Sequence, residues 1–461
     1  VSAERTKASP ELPRRLGTLD AALLTIGAVV GTGIFLTPGD VAAAVPHAGL
    51  ILLVWLAGGA LALAGALTLA EPVAALPRAG GLYHVLREAF GPLPAFLYGW
   101  TCFLVIMSGG IAAIAMGFGE WLGAFVPAAA ADNVLLRAGS FTLDGQQAAA
   151  AGAILVLSFV NHVGLGPGAG LQNALTWLKV GAIAGFALLG FGQPARAPVE
   201  LLAPAPAAPG AVLVAFGAAM IAVLWTYDGW YGVTFEAGEM KDPDRTLPRG
   251  LLGGVLAVVA LYVLLNLFYL RALPMAELVG NPRAGAAAAE ALLGVGAARL
   301  FEALVVVSSF GCLAATILYA SRLYLPMAQD GVFFAAAGRV HPRHRTPSNS
   351  LWMQGAWAIV LTLSGSYSEL YNYVTFASVL FLGACGAAAL VLRRRRPDLP
   401  RPYRTFGYPV VPLLFLGGCA LLTVNTLQVS PRESLAGLGL VALGLPAYAW
   451  WRRGGRRSAS R

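Results

Sequence analysis

The sequence predicts an all-helical integral membrane protein of twelve crossings, two of them broken at mid-depth. Three observations lead there. Only 11% of the 461 residues are charged, against about 25% in soluble domains, and the mean hydropathy is +0.71. The apolar residues gather in runs of roughly 20, the length that crosses ~30 Å of hydrocarbon. Two of these runs have glycine-containing interruptions near their centres, "GAVVGTGIFLTP" (Gly27–Pro38) and "LWTYDGWYG" (Leu224–Gly232).

The runs fall at residues 19–45, 48–72, 93–122, 146–165, 170–191, 211–238, 249–272, 297–328, 349–365, 368–392, 408–428 and 434–452; they are spans 1 to 12 below. The run 284–294, "AGAAAAEALLG", is too short to span and reads as a helix on the outer surface. Residues 1–18 form a polar, basic tail followed by a full-length span without a cleavage site, so no secretory signal peptide is expected. One membrane domain takes 19–452, and a second polar tail takes 453–461.

The net charge of +9 is a topology signal rather than a mark of nucleic-acid binding. Arg137, Arg196, Arg271, Arg283, Arg299 and Arg432 face one side, and Lys179 lies inside span 5. All other Lys and Arg residues fall in or beside the tails and alternate loops of the opposite side. Positive loops stay inside, which predicts a multi-pass protein of the cell (inner or plasma) membrane with both termini cytoplasmic. Arg393 to Arg396 read as an anchor of that topology, with contact to anionic membrane lipids as the alternative.

Several function classes lose support from what the spans contain. Cys102, Cys312, Cys385 and Cys419 all lie in spans, without CxxC spacing or an external pair, so neither a disulfide nor a metal site is expected. The five histidines include no ligand-spaced cluster within a span, and His341 and His344 occupy a basic loop without neighbouring Cys or carboxylates. A multi-pass enzyme acting on a lipid-linked substrate is therefore the distant alternative. No charged ring or filter-like sequence indicates a channel. No cofactor is expected.

The interruptions are where chemistry concentrates. Gly31 lies about 18 Å along span 1, near the bilayer midplane, and Asp228-Gly229 lies at a similar depth in span 6. If spans 1–5 and 6–10 are two repeats, each break falls in the first helix of its repeat. An odd number of crossings per repeat makes the second an inverted copy. Broken helices at corresponding positions of inverted repeats point to a transporter's substrate site.

A half-helix beginning at Gly33 offers N–H groups and a positive dipole end to a carboxylate. Gly31 and Gly33 allow close approach to the backbone, and Thr32 adds a hydroxyl. Carbonyls near Val29 and Val30, and near Trp225, Thr226 and Tyr227, suit an ammonium group. A small zwitterion satisfies both ends. Lys179, about 14 Å into span 5, is a functional candidate because a charge at that depth is costly. Asp228 reads as an N-cap for the second half of span 6, with contact to a substrate amine or a proton as the alternative. Glu236, Glu239 and Asp242, near Arg245 and Arg249, read as a charge network at the inner gate.

Four segments in order also resemble a known family: "GAVVGTGIFLTP", "LPRAGGLYHVLREAFGPLPAFLYGW" (76–100), "WTYDGWYGVTFEAGEMKDPDRTLPRGL" and "SRLYLPMAQDGVFFAAAGRVHPRHRTPSNSL". They are similar to the amino acid–polyamine–organocation superfamily, and within it to the L-type amino acid transporters and their bacterial relatives. The resemblance implies the LeuT-type 5+5 inverted repeat, here 19–191 and 211–392, with two extra helices at 408–452 and alternating access. It implies that Thr32, Gly33 and Ile34 bind the substrate carboxylate. It gives the amine to Val29 and to the carbonyls of Trp225, Thr226 and Asp228 beside Gly229, with Trp225 closing over the substrate.

In the same reading Lys179 fills the place of a sodium ion, bridging span 5 to the break and to span 8 hydroxyls such as Ser308 or Ser309. The expected activity is sodium-independent exchange or facilitated flux of small to medium neutral L-amino acids. The alternative is a proton-coupled amino acid, cationic amino acid or polyamine transporter, in which Asp228 carries the proton. The loop 123–145 lacks the cysteine through which eukaryotic L-type transporters bind a heavy chain, so no disulfide-linked heavy-chain subunit is expected.

Overall fold

The computed structural model describes residues 14–459 except 140, 164, 203–208 and 365–366. The first 13 residues of the expected N-terminal tail and the last two of the C-terminal tail lie outside the described residues. Among the described residues, eleven helices are long and apolar enough to cross a membrane. The shortfall from twelve is span 9. Its helix, Ser348–Thr362, has 15 residues, about 22 Å at 1.5 Å per residue. The expected end at residue 365 lies outside the described residues.

Both expected interruptions are present. Span 1 is helical over Thr18–Val29, opens at residues 30–32, and resumes at Gly33–Leu36 and Pro38–Ala44. Thr37 holds the last two pieces together, since its N–H donates to the Gly33 carbonyl and its own carbonyl receives the Val41 N–H. Pro38 fits there because it stands in the first turn of its helix, where an N–H has no partner to lose. Span 6 is helical over Pro209–Tyr227 and continues as a 3-10 helix, Trp230–Glu239. Gly229 makes the joint with φ +91°, a backbone angle that side chains disfavour.

Span 3 runs from Pro92 to Leu122 and includes a π-helical turn at Cys102–Ile106. The loop expected between spans 3 and 4 holds a two-stranded antiparallel hairpin, Val134–Ala138 with Phe141–Asp144. It departs from the all-helical reading. Gly139 at φ +64° supplies the left-handed turn residue. The short helix Ala284–Leu293 forms as expected, but buries Ala284, Gly285, Ala288 and Ala289 rather than only lying on the surface. The last helix, Pro431–Ala459, runs on into the expected C-terminal tail.

Span 1 sits at the centre. It packs against span 7 (Pro243–Ala272), span 5 (Leu165–Phe191), span 8 (Val295–Gln329) and the 3-10 part of span 6. Small residues set the approach: a Cβ on Gly250 or Gly254 of span 7 would stand 2.4 Å from Ala21 or 2.6 Å from Thr25. Spans 11 and 12 lie outside this bundle and leave leucines such as Leu414, Leu421 and Leu443 exposed. That is where a lipid-facing surface belongs.

The face of the bundle that carries the N-terminal segment is closed by loop contacts. Leu16 bridges to Met240, and the Arg15 and Leu16 N–H groups both donate to the Glu239 carbonyl. The Gly80 N–H donates to Phe235 of the 3-10 helix. Next along the chain, helix Leu82–Phe90 is pinned to the end of span 8, with the Tyr83 hydroxyl 2.7 Å and the Arg87 guanidinium 2.6 Å from Asp330.

His84 of the same helix is half-buried, with a ring nitrogen 3.0 Å from the Ala79 carbonyl, and desolvation pushes its pKa down to about 4 from 6.5. The unfolded chain therefore binds a proton that the folded chain refuses between those values, and stability rises with pH across that window. Thermal unfolding in detergent is expected to show a melting temperature that falls as pH drops from about 6.5 to about 4. His84→Gln, which does not titrate, should flatten that limb; an unchanged slope in the variant would refute the assignment.

Candidate substrate site at two helix breaks

The two breaks meet. Backbone and side chains of Ala28, Val29, Gly31, Thr32 and Gly33 from span 1 face Trp225, Thr226, Asp228 and Gly229 from span 6 across one cavity. Span 3 closes it with Ile106, Met107, Gly110 and Ile114, and span 8 with Cys312, Thr316 and Tyr319. The free volume is about 30 Å³, room for roughly two waters at ~10–15 Å³ each. In this conformation the walls are drawn in, so an amino acid enters only as the helices separate.

Glycine at these positions has a direct steric cause. A Cβ on Gly31 would stand 2.6 Å from the Cys312 Sγ, and one on Gly33 would stand 2.8 Å from the Thr226 Oγ1 and 3.0 Å from its Cα. The close approach expected of a ligand is thus also made by spans 8 and 6 themselves. Gly117 of span 3 does the same for Thr32, whose Cγ2 lies 2.6 Å from the position a Cβ would take.

Polar groups at the break sort by end. Phe35 and Leu36 make the first bonds of the resumed helix, both to the Thr32 carbonyl. The N–H groups of Gly33 and Ile34 precede them, as the leading N–H groups of a helix do. On the other side, the ending half-helix presents carbonyls. Lys179, fully buried, reaches two of these and one of span 8: its Nζ donates to Gly27 O at 3.1 Å, Val30 O at 2.8 Å and Ser308 O at 3.2 Å. The Ser308 hydroxyl donates to the same Val30 carbonyl at 3.2 Å. Three oxygens around one cation stitch spans 1, 5 and 8 together at the break.

Several expectations need correction. Lys179 meets the Ser308 carbonyl, not a span 8 hydroxyl, and the Ser309 hydroxyl turns back to Val305 O at 2.7 Å. A serine inside a helix has its own i−4 carbonyl in reach, and Ser309 uses it. Val30, Ile34 and Tyr227 do not line the cavity: Val30 and Ile34 are buried in packing, and Tyr227 packs its ring, tilted, against Trp55 and Tyr262. The N-cap place before the 3-10 helix belongs to Gly229, not Asp228. The Asp228 carboxylate instead receives the Tyr231 hydroxyl at 3.4 Å, while its N–H donates to Trp225 O. Trp225 stacks on Tyr371 of span 10, rings 6.0 Å apart.

The carbonyls of Val29 and Thr226, expected to hold an amine, share the Tyr262 hydroxyl, 2.9 Å from one and 3.0 Å from the other. Tyr262 lies mid-way in span 7, where an apolar run gives no signal of a polar role. The gate network also differs. Glu239 pairs with Arg322 of span 8 at 3.0 Å, both buried, rather than with Arg245 or Arg249. Arg322 further donates to the Leu318 carbonyl and the Ser321 hydroxyl. Glu236 is buried within electrostatic reach of both, and among the described residues its carboxylate oxygens have no hydrogen-bond partner. Finally, His162 at the end of span 4 meets His341 and His344, a cluster hidden by their separation in sequence.

A bundle of apolar spans with a small cavity between two broken helices, its wall carrying Thr32, Thr226 and Asp228, is the architecture of a membrane transporter. The comparisons agree, and the chain belongs to the amino acid permease family, whose model matches residues 16–437. It is 31% identical to the serine/threonine exchanger SteT of Bacillus subtilis (strain 168), over 95% of this chain and 96% of that one. It is 29% identical to the human large neutral amino acids transporter small subunit 2, over 95% of this chain and 80% of the relative. The mouse b(0,+)-type amino acid transporter 1 is also 29% identical, over 85% and 79%. The family is one of transporters rather than enzymes.

Proposed function

We propose that the protein exchanges small neutral L-amino acids across the cell membrane without sodium, by alternating access around the cavity between the two breaks. The observation that carries this reading is the pairing of opposite helix ends in one cavity. The N–H of Gly33, at the cavity wall where the helix resumes, receives the substrate carboxylate. Carbonyls of Ala28 and Trp225, both at the cavity wall, receive the amine, and Asp228 at its edge adds a carboxylate. The apolar wall at Ile106 and Ile114 suits neutral side chains, and the name of the Bacillus relative points to serine and threonine.

Sodium independence rests on Lys179, whose ammonium occupies a nest of three carbonyls where a bound cation would sit. The 5+5 inverted repeat with two extra helices, twelve crossings and cytoplasmic termini complete the reading. Its support is the matching place of the two breaks and the distribution of Lys and Arg. The sequence of the loop 123–145 holds no cysteine, which speaks against a disulfide-linked subunit.

Purified protein in liposomes tests the function. In sodium-free buffer, labelled serine should enter vesicles preloaded with serine and not empty ones. Equal uptake into both would contradict exchange, and no uptake into either would contradict the substrate class. The proton-coupled alternative is favoured by one observation, the Asp228 carboxylate at the cavity wall. Asp228→Asn separates the two: the exchange reading expects exchange with unchanged pH dependence, and loss of pH dependence with retained binding would support proton coupling.

A further inference from the structure

We propose that His162, His341 and His344 form a binding site for a borderline divalent cation such as Zn²⁺, separate from the substrate cavity. The ring nitrogens of the three lie within 4.8 Å of one another. The ring centroids are 5.2 Å apart for His162 and His341, 5.5 Å for His162 and His344, and 4.6 Å for His341 and His344. His162 ends span 4, and the other two lie in the turn between spans 8 and 9. Imidazole nitrogens are preferred ligands for Zn²⁺, Cu²⁺ and Ni²⁺, and three with one open position is a recurrent zinc arrangement.

The cluster is built rather than incidental. Thr346, fully buried, donates its hydroxyl to the His162 carbonyl at 3.0 Å, and its own carbonyl receives the His341 N–H at 2.8 Å. It thereby fixes the turn against span 4. Arg345, at φ +57°, closes the turn so that His341 and His344 stack. Among the described residues no ion pair involves any of the three rings, so no carboxylate explains their convergence.

The site also has costs, which set its affinity class. Tetrahedral coordination with bonds of about 2.0–2.1 Å brings the nitrogens to roughly 3.3 Å, so the rings must close further. The Nδ1 atoms of His162 and His341 accept N–H groups from Trp352 at 3.4 Å and His344 at 3.1 Å. Coordination through Nε2 places the ring proton on Nδ1 and displaces these long contacts. Arg343 and Arg345 in the same turn repel a cation. Micromolar rather than nanomolar binding follows.

Tag-free full-length protein in detergent provides the test, since a polyhistidine tag would bind the metal itself. All four cysteines are buried, which keeps thiols out of competition. Titration with Zn²⁺ should show one ion bound per chain, and Co²⁺ should give the visible absorption bands of a tetrahedral nitrogen site. His344→Ala and His162→Asn should each weaken Zn²⁺ binding by more than about 100-fold, beyond the 10–100-fold that outer-shell changes cost. Zn²⁺ should raise the melting temperature of the parent but not of either variant, and their metal-free melting temperatures report whether each is folded. Binding unchanged in both variants, or no Zn²⁺ bound at 100-micromolar scale (~100 µM), would overturn the proposal.

Discussion

Lys179→Ala is expected to reduce exchange in liposomes by at least about 100-fold, equivalent to roughly 2.7 kcal/mol, in a chain that still inserts. The ammonium satisfies the carbonyls of Gly27 and Val30 where span 1 opens, and ties them to the Ser308 carbonyl of span 8. Each buried acceptor left alone costs about 1–3 kcal/mol, so the break loses its fixed shape before it loses its fold. Lys179→Arg should not rescue, because a planar fork does not fit a nest shaped around one nitrogen. A second consequence separates structural from cation-replacing roles. If the ammonium stands where a cation sits, sodium should raise the melting temperature of Lys179→Ala and leave the parent unchanged. Near-parental exchange by Lys179→Ala would refute the role.

Arg322→Ala is expected to act on stability more than on substrate handling, at about 3–5 kcal/mol, the range for breaking one side of a buried ion pair. It leaves Glu239 unpaired beside Glu236 where neither meets water. Arg322→Lys should recover only part, since one ammonium cannot replace bonds to Glu239, Leu318 and Ser321 together. Arg322→Met combined with Glu239→Met should be more stable than Arg322→Ala alone, because no unpaired partner of the broken bridge remains. Thermal unfolding of the three variants gives the comparison. If Arg322→Ala unfolds at the parental temperature, the buried pair is not what holds spans 6 and 8 together.

How much of this was legible before the structure depends on the distance over which each interaction acts. Spans follow from runs of apolar residues, a local property, and the breaks from Gly31, Gly33 and Gly229, whose missing side chains mark them directly. Lys179 stood out because a lone cation in an apolar run is anomalous wherever it points. Its partners are harder: the family resemblance implies span 8 nearby but does not distinguish the Ser308 carbonyl from its hydroxyl. Tyr262 gave no signal, since a tyrosine in an apolar helix reads as packing until a break exposes carbonyls beside it. Arg322 reads from the sequence only as one of the basic residues beside a loop, and only the fold shows Glu239 reaching it. His162 and His341 are brought together where the end of span 4 meets the turn between spans 8 and 9, which no spacing rule encodes.

Cys312 offers the most direct test of the claim that the breaks form the substrate site. Its Sγ lies at the cavity wall, 2.9 Å from the Ala28 carbonyl. In a variant with alanine at Cys102, Cys385 and Cys419, the rate of modification by methyl methanethiosulfonate would be measured with and without L-serine. The account predicts that saturating serine slows modification about tenfold, and that the modified protein no longer exchanges. A rate indifferent to serine, in a protein that exchanges serine before and after modification, would contradict it.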